Sequence, residues 1–232
     1  MFEDALSYPT NGESGVARIL IGGVLGILAI LIIPSFILYG YMVQAMTAVS
    51  RGEDEPPAFE EWGDLLVDGV KAVVIGIAYS FVPFVLMVMV FVAMIGGSSA
   101  GGDTAGVAAG LGLVGMLVAL VLSFAIQYVL PAALTNFGRE GSIGAAFDFD
   151  ELKPVLLSGD YLKAVVLTFG IALVGGVGFL VFALVTLGIG YILAPFFYFW
   201  LYLAGSYMFG TAYANVSPVE PPSSTEQVHF GD

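Results

Sequence analysis

Four stretches of the chain, 19–50, 72–102, 104–138 and 164–219, contain no Asp, Glu, Lys, Arg or His. Each exceeds the ~20 apolar residues that span the ~30 Å hydrocarbon core of a bilayer. All 19 acids and 6 bases lie between or beyond these runs. A soluble domain carries about 45–50% apolar and ~25% charged residues, whereas this chain has 59% and 11%. No core surrounded by water requires four uncharged runs of such length. The chain reads as a multi-pass protein of the cell membrane.

In lipid every backbone N–H and C=O must be satisfied internally, which leaves helices or closed barrels. Barrel strands would alternate polar and apolar over segments of ~10 residues. Val85-Leu86-Met87-Val88-Met89-Val90-Phe91-Val92 does not alternate. The expected fold is all-α, a polytopic transmembrane bundle filling 1–216, with 217–232 as a disordered acidic tail.

Residues 19–50 would measure ~48 Å as one straight helix, so tilt or a kink at Pro34 is expected. Breaker and charge residues 51–57 end this run. Over 58–71, Phe59, Trp62, Leu66 and Val70 share one helical face, with Leu65 beside them, opposite Glu60, Glu61, Asp64, Asp68 and Lys71. That pattern predicts an interfacial helix anchored by Phe59, Trp62 and Leu66. Its acidic polar face makes docking on the protein's own helix ends an equal alternative. Crossings at about 71–95 and 106–137 form a hairpin through 96–103. In the second polar segment, 138–163, Pro154 divides two short surface helices. The run 164–219 supplies two more crossings joined at Gly188-Ile189-Gly190.

The chain also repeats itself. Lys71-Ala72-Val73-Val74 matches Lys163-Ala164-Val165-Val166, and Pro34-Ser35-Phe36 before Tyr39 and Tyr41 matches Pro195-Phe196-Phe197 before Tyr198 and Tyr202. The repeating unit is a proline-bearing helix, an acidic surface segment and a Lys-initiated helix.

Orientation follows from Lys and Arg near helix ends. Arg51, Lys71, Arg139, Lys153 and Lys163 lie in or next to the two long polar segments, and the opposite turns at 96–104 and 187–190 have none. Both long segments are therefore expected in the cytoplasm. Five crossings would place the N-terminus outside, where Arg18 would be the one exception. Breaking 19–50 at Pro34 into a short hairpin gives six helices and both termini inside. The polar segment Met1 to Ser14 lacks the features of a signal peptide, so the first helix is expected to be its own insertion signal.

Several motifs resemble one family: Tyr8-Pro9-Thr10, Arg18 to Gly23, Pro34, Gly40-Tyr41, Arg51-Gly52-Glu53-Asp54, Pro57, Phe59, Trp62-Gly63, Leu66-Val67-Asp68-Gly69 and Lys71-Ala72. They are similar to an archaeal, halophile-rich membrane family of the domain of unknown function 4013 type, over roughly 3–215. More distantly, Arg51-Gly52-Glu53 and Leu187-Gly188-Ile189-Gly190 with Pro195 resemble the membrane domain attached to some glycerophosphodiester phosphodiesterases. Such relatives often have six helices with the N-terminus inside. No phosphodiesterase catalytic domain is present, so the resemblance implies a fold and a location and no activity.

Catalytic chemistry finds little material. There is no cysteine, and the one histidine, His229, lies in the polar tail. No phosphate-binding loop, nucleophile elbow or H-E-x-x-H motif occurs. The net charge of −13 opposes nucleic acid and anionic lipid. It reads as adaptation to high salt, which screens carboxylates from one another. Glu60, Glu61, Asp64 and Asp68, with Asp148, Asp150 and Glu151, are expected on solvated faces, with an oxygen-ligand cation site across the loops as the alternative. Within the runs, Gln44, Gln127 and Asn136 are the candidate polar contacts, as interhelical hydrogen bonds or as the lining of a solute path. No catalytic residue, cofactor or metal site is expected. The partners are the bilayer and other membrane proteins or a second copy. Two functions follow: a non-enzymatic scaffold or partner subunit, or a transporter or channel for a lipid or small neutral solute.

Overall fold

A computed structural model describes residues 1–100 and 102–218, so the predicted tail lies almost entirely outside the described residues. The α-helices are α1 (Phe2–Ser7), α2 (Gly15–Ile27), α3 (Ile32–Ser50), α4 (Trp62–Ala100), α5 (Gly102–Glu140), α6 (Phe149–Leu156), α7 (Gly159–Val185) and α8 (Ala194–Val216). No strand occurs among the described residues. Five helices are long and apolar enough to cross a membrane: α3, α4, α5, α7 and α8. The molecule is an all-α, polytopic helical bundle.

The 19–50 run is not one kinked helix. It breaks at Leu28–Ile30 in a 3-10 turn, and Leu31 is extended at φ −86° and ψ 119°. Pro34 limits where α3 can begin, because its ring would clash with the carbonyl of Ile30, four residues back, if the helix continued upstream. It sits in the first turn of α3, where a missing N–H leaves no intrahelical bond unmade. The Ser35 hydroxyl donates to the Ala29 carbonyl at 2.8 Å and closes the turn.

Contacts along α8 give the directions. Gly22 of α2 faces Phe199, and Gly26 faces Pro195. In α3, Met42 receives a hydrogen bond from Ser206, and Met46 and Val49 flank Gly210. Thus α2 runs antiparallel to α8 and α3 parallel to it, which makes α2 and α3 a hairpin. The N-terminus consequently lies at the same end as the 51–61 segment. The Asn11 amide donates to the Asp54 carbonyl and the Arg18 guanidinium to the Pro57 carbonyl. Arg18 joins the other five bases instead of opposing them.

The expected 58–71 surface helix is absent as a separate element. From Trp62 the chain is one helix of 39 residues, because nothing between Trp62 and Val82 interrupts it. Its inward face is set by close backbone approach. A Cβ on Gly69 would lie 1.7 Å from the Phe36 carbonyl oxygen, and one on Gly40 would lie 1.9 Å from that of Leu65. Only paired glycines allow α3 and α4 to meet this closely. Leu65, Gly69, Ala72 and Ile75 therefore point inward, rotated from the predicted Trp62–Leu66–Val70 stripe.

Helix ends follow local chemistry. Gly52, at φ +89°, ends α3: its N–H reaches the Val49 carbonyl, and the Glu53 N–H reaches that of Ala48, the Schellman arrangement. Asp148 caps α6 and Ser158 caps α7 through backbone N–H groups. Pro154 lies inside α6 and does not divide it. The reversal between α7 and α8 uses Leu187 and Gly188 at φ 54° and 88°, the predicted Gly188-Ile189-Gly190 joint. Of the repeated motifs, Lys71 and Lys163 lie in α4 and α7, whereas Pro34 and Pro195 lie in α3 and α8, so the matched prolines do not both precede the matched lysines.

One core lies at the loop end, where Phe137, Leu152, Val155, Tyr161, Met208 and Tyr213 are buried together. A second joins Tyr41, Phe59, Leu65, Phe199 and Leu203.

Candidate functional site

Several polar side chains of the membrane runs, Gln44, Thr47 and Asn136 among them, lie toward the loop end. Asn136 is buried at 2% exposure. Its amide donates to the Ala145 carbonyl at 3.0 Å and the Glu151 carboxylate at 2.9 Å, and its oxygen accepts from the Tyr213 hydroxyl at 2.8 Å. This one side chain ties α5, the 143–147 turn, α6 and α8 together. Arg139 stacks over the Tyr213 ring at 5.0 Å and donates to the Ser217 carbonyl. The arrangement satisfies a buried amide almost completely and offers no free group for chemistry.

Gln44 donates to Asp68 at 3.0 Å across the α3–α4 contact. Gln127 is exposed on α5 and does not fill the gap opened by Pro131. Tyr161 of α7 fills it. The Tyr161 hydroxyl donates to the Tyr128 carbonyl at 2.7 Å and accepts from the Ala132 N–H at 3.2 Å. A side chain thereby enters the hydrogen-bond ladder of α5, one of the recognised causes of helix bending. Sequence reading missed Tyr161. The signal available was a tyrosine in the first turn of a helix that follows a proline-bearing one.

Of the expected anchors, Phe59 is buried and stacks on Tyr41, ring centroids 4.1 Å apart, with Trp62 on its other side at 5.7 Å. Trp62 is exposed and Leu66 half-buried. Phe59 thus faces protein, and Trp62 alone of the three presents a large exposed ring.

Arg18 was singled out only for its charge, yet it is 4% exposed. It donates to Pro57 O at 3.1 Å, Asn11 O at 3.0 Å and Ser14 Oγ at 3.0 Å. Among the described residues no carboxylate lies within ion-pair distance of it. The Tyr41 hydroxyl shares Pro57 O at 2.9 Å. Nearby, Tyr8 is wholly buried against Tyr207, and its hydroxyl has no hydrogen-bond partner.

Two cavities stand out. One, of about 290 Å³, opens at the loop end between the last turns of α3 and α5; Gln44, Thr47, Arg51, Glu53 and Asp68 supply its polar groups over a floor that includes Phe137. The other, of about 530 Å³, is an apolar groove between α2, α3 and α8. Among the described residues no group of three or more His, Asp or Glu is arranged to hold a metal ion.

A family model described as "Protein of unknown function (DUF4013)" matches residues 24–186, about 70% of the chain. No curated protein and no solved structure matches the chain.

Proposed function

The chain belongs to the DUF4013 family, and from that premise we propose that it is a non-enzymatic scaffold or partner subunit of the cell membrane. The observation that carries this reading is the uneven burial of the spans. In their most apolar windows, α3 and α8 are 44% and 33% buried, whereas α4, α5 and α7 are only 11%, 11% and 6% buried. Two helices form a hub, and the three long ones leave much of their apolar surface facing outward. Apolar side chains such as Phe91, Phe124 and Phe169 project there, between 64% and 66% exposed. Glycines 76, 106, 110, 170 and 178 of these helices face open space. Small residues without a neighbour cost helix stability of about 1 kcal/mol each relative to Ala and allow close approach of another membrane helix. The acidic loop end keeps the same molecule hydrated in a high-salt setting.

Gentle-detergent purification at high salt followed by native mass spectrometry tests the reading. A stoichiometric assembly, with other chains or with a second copy, is the expected result. A lone monomer that sustains saturable flux in reconstituted vesicles would overturn it. The apolar groove between α2, α3 and α8 favours one second reading, transport of a lipid or small neutral solute, and the same flux measurement decides between the two.

A further inference from the structure

We propose that residues 54–57 form a lid over the loop-end cavity, held shut by Arg18 and Asn11 of the N-terminal segment. This inference does not depend on the scaffold reading.

The motivation is how the segment is held. Among the described residues, 54–59 make no backbone–backbone hydrogen bond; the last before them is Glu53 N–H to Ala48 O, and the next involves Glu60 and Trp62. The polar tethers are side-chain donors, beside the packing of Phe59 on Tyr41 at the far end. Asn11 Nδ2 reaches Asp54 O at 3.0 Å, and Arg18 Nε and Tyr41 Oη both reach Pro57 O. Two of these three donors come from one stretch of chain, residues 11–18, which the Arg18 bonds to Asn11 O and Ser14 Oγ fold into a single unit.

Behind the segment lies a preformed space. Glu53 and Pro57 form one wall of the 290 Å³ cavity, and Val43, Thr47, Ala48 and Phe137 in its lining are buried. The hinge is also present. Gly52 adopts φ +89° with nothing within 4 Å of where a Cβ would stand, and the chain beyond Glu53 is free of the Schellman bonds that fix Gly52 and Glu53, so the segment would swing from the Glu53–Asp54 junction. Pro56 and Pro57 stiffen the far end, and the segment would move as a unit. Exposed Glu53, Asp54 and Glu55 meet no salt-bridge partner among the described residues that would hold the lid by charge. The clamp is therefore made of Arg18 hydrogen bonds to neutral acceptors, which salt screens little.

The chain has no cysteine, so a single Thr47→Cys, in the cavity lining, reports access. Its rate of labelling by a hydrophilic maleimide in mild detergent is compared with and without Arg18→Met. Loss of charge-assisted bonds should raise that rate about tenfold, and Asn11→Ala should raise it by a smaller factor. Ala146→Cys, equally buried but outside the cavity, reports general loosening. Faster labelling at position 47 with position 146 still protected supports the lid. An unchanged rate at 47 in both clamp variants, or an equal rise at 47 and 146, overturns it.

Discussion

At the scale of single residues, the decisive side chains are buried polar groups, and their satisfaction sets the sign of each substitution. Asn136 makes three hydrogen bonds at 2% exposure. Asn136→Leu strands the buried Tyr213 hydroxyl and should lower stability by about 1–3 kcal/mol, measured by thermal or denaturant unfolding in detergent. Glu151→Gln, at an exposed position, should change it by well under 1 kcal/mol. Tyr8 carries the opposite sign. Its hydroxyl is buried and unpartnered, so Tyr8→Phe removes an uncompensated polar group. That variant should melt at the same temperature as the parent or higher; a clear loss would mean the hydroxyl has a bonded water or partner.

At the scale of elements, two contacts govern shape. Gly40 and Gly69 bring the backbones of α3 and α4 together. Gly69→Val should push these helices apart and cost at least about 1–3 kcal/mol as overpacking, whereas Gly76→Ala, on the same helix but facing open space, should be neutral or mildly stabilising. Tyr161→Phe leaves the Ala132 N–H and Tyr128 carbonyl without their inserted hydroxyl, and amide exchange at Ala132 should change while that in α8 does not. The existence of each span was legible because hydrocarbon tolerates no charge. The break was expected at Pro34 and falls at Leu28–Ile30, a few residues upstream, because the proline is accommodated in the first turn of α3 and excludes helix before it. The inward face of α4 turns on a glycine pair 29 positions apart in sequence, which no periodicity within 58–71 can report. For Phe59, lipid contact and docking on the protein's own helix ends stood as equal readings, because a ring in a polar segment looks the same in either setting; the structure puts it on Tyr41. Asn136 was recognised as a polar contact; its partners lie on α6 and α8 and were not.

At the scale of the whole molecule, the hairpin of α2 and α3 gathers all six bases at one end, with both the N-terminus and the end of α8. Positive-inside bias then assigns that end to the cytoplasm. Single cysteines at Ser142 and Ser99 provide the measurement: in intact cells an impermeant thiol reagent should label position 99 and spare 142. The reverse pattern would invert the molecule. Partner contacts, if they use the outward faces of α4, α5 and α7, should be sensitive to bulk at Gly110 or Gly170 while the monomer remains folded.

The short hairpin also bears on how the chain enters the bilayer during synthesis. With the turn at residues 28–31 as its tip, neither a terminus nor an ionised group has to be carried across; the two helices can slide in together from the side where they were made. The 186–193 reversal is equally uncharged. Between Lys71 and Arg139 the sequence carries one charge, Asp103, in the first turn of α5. If the loop end faces the cytoplasm, Asp103 is the one carboxylate between Lys71 and Arg139 that must be carried across, and Asp103→Asn should insert at least as efficiently as the parent in a glycosylation-tag translocation assay.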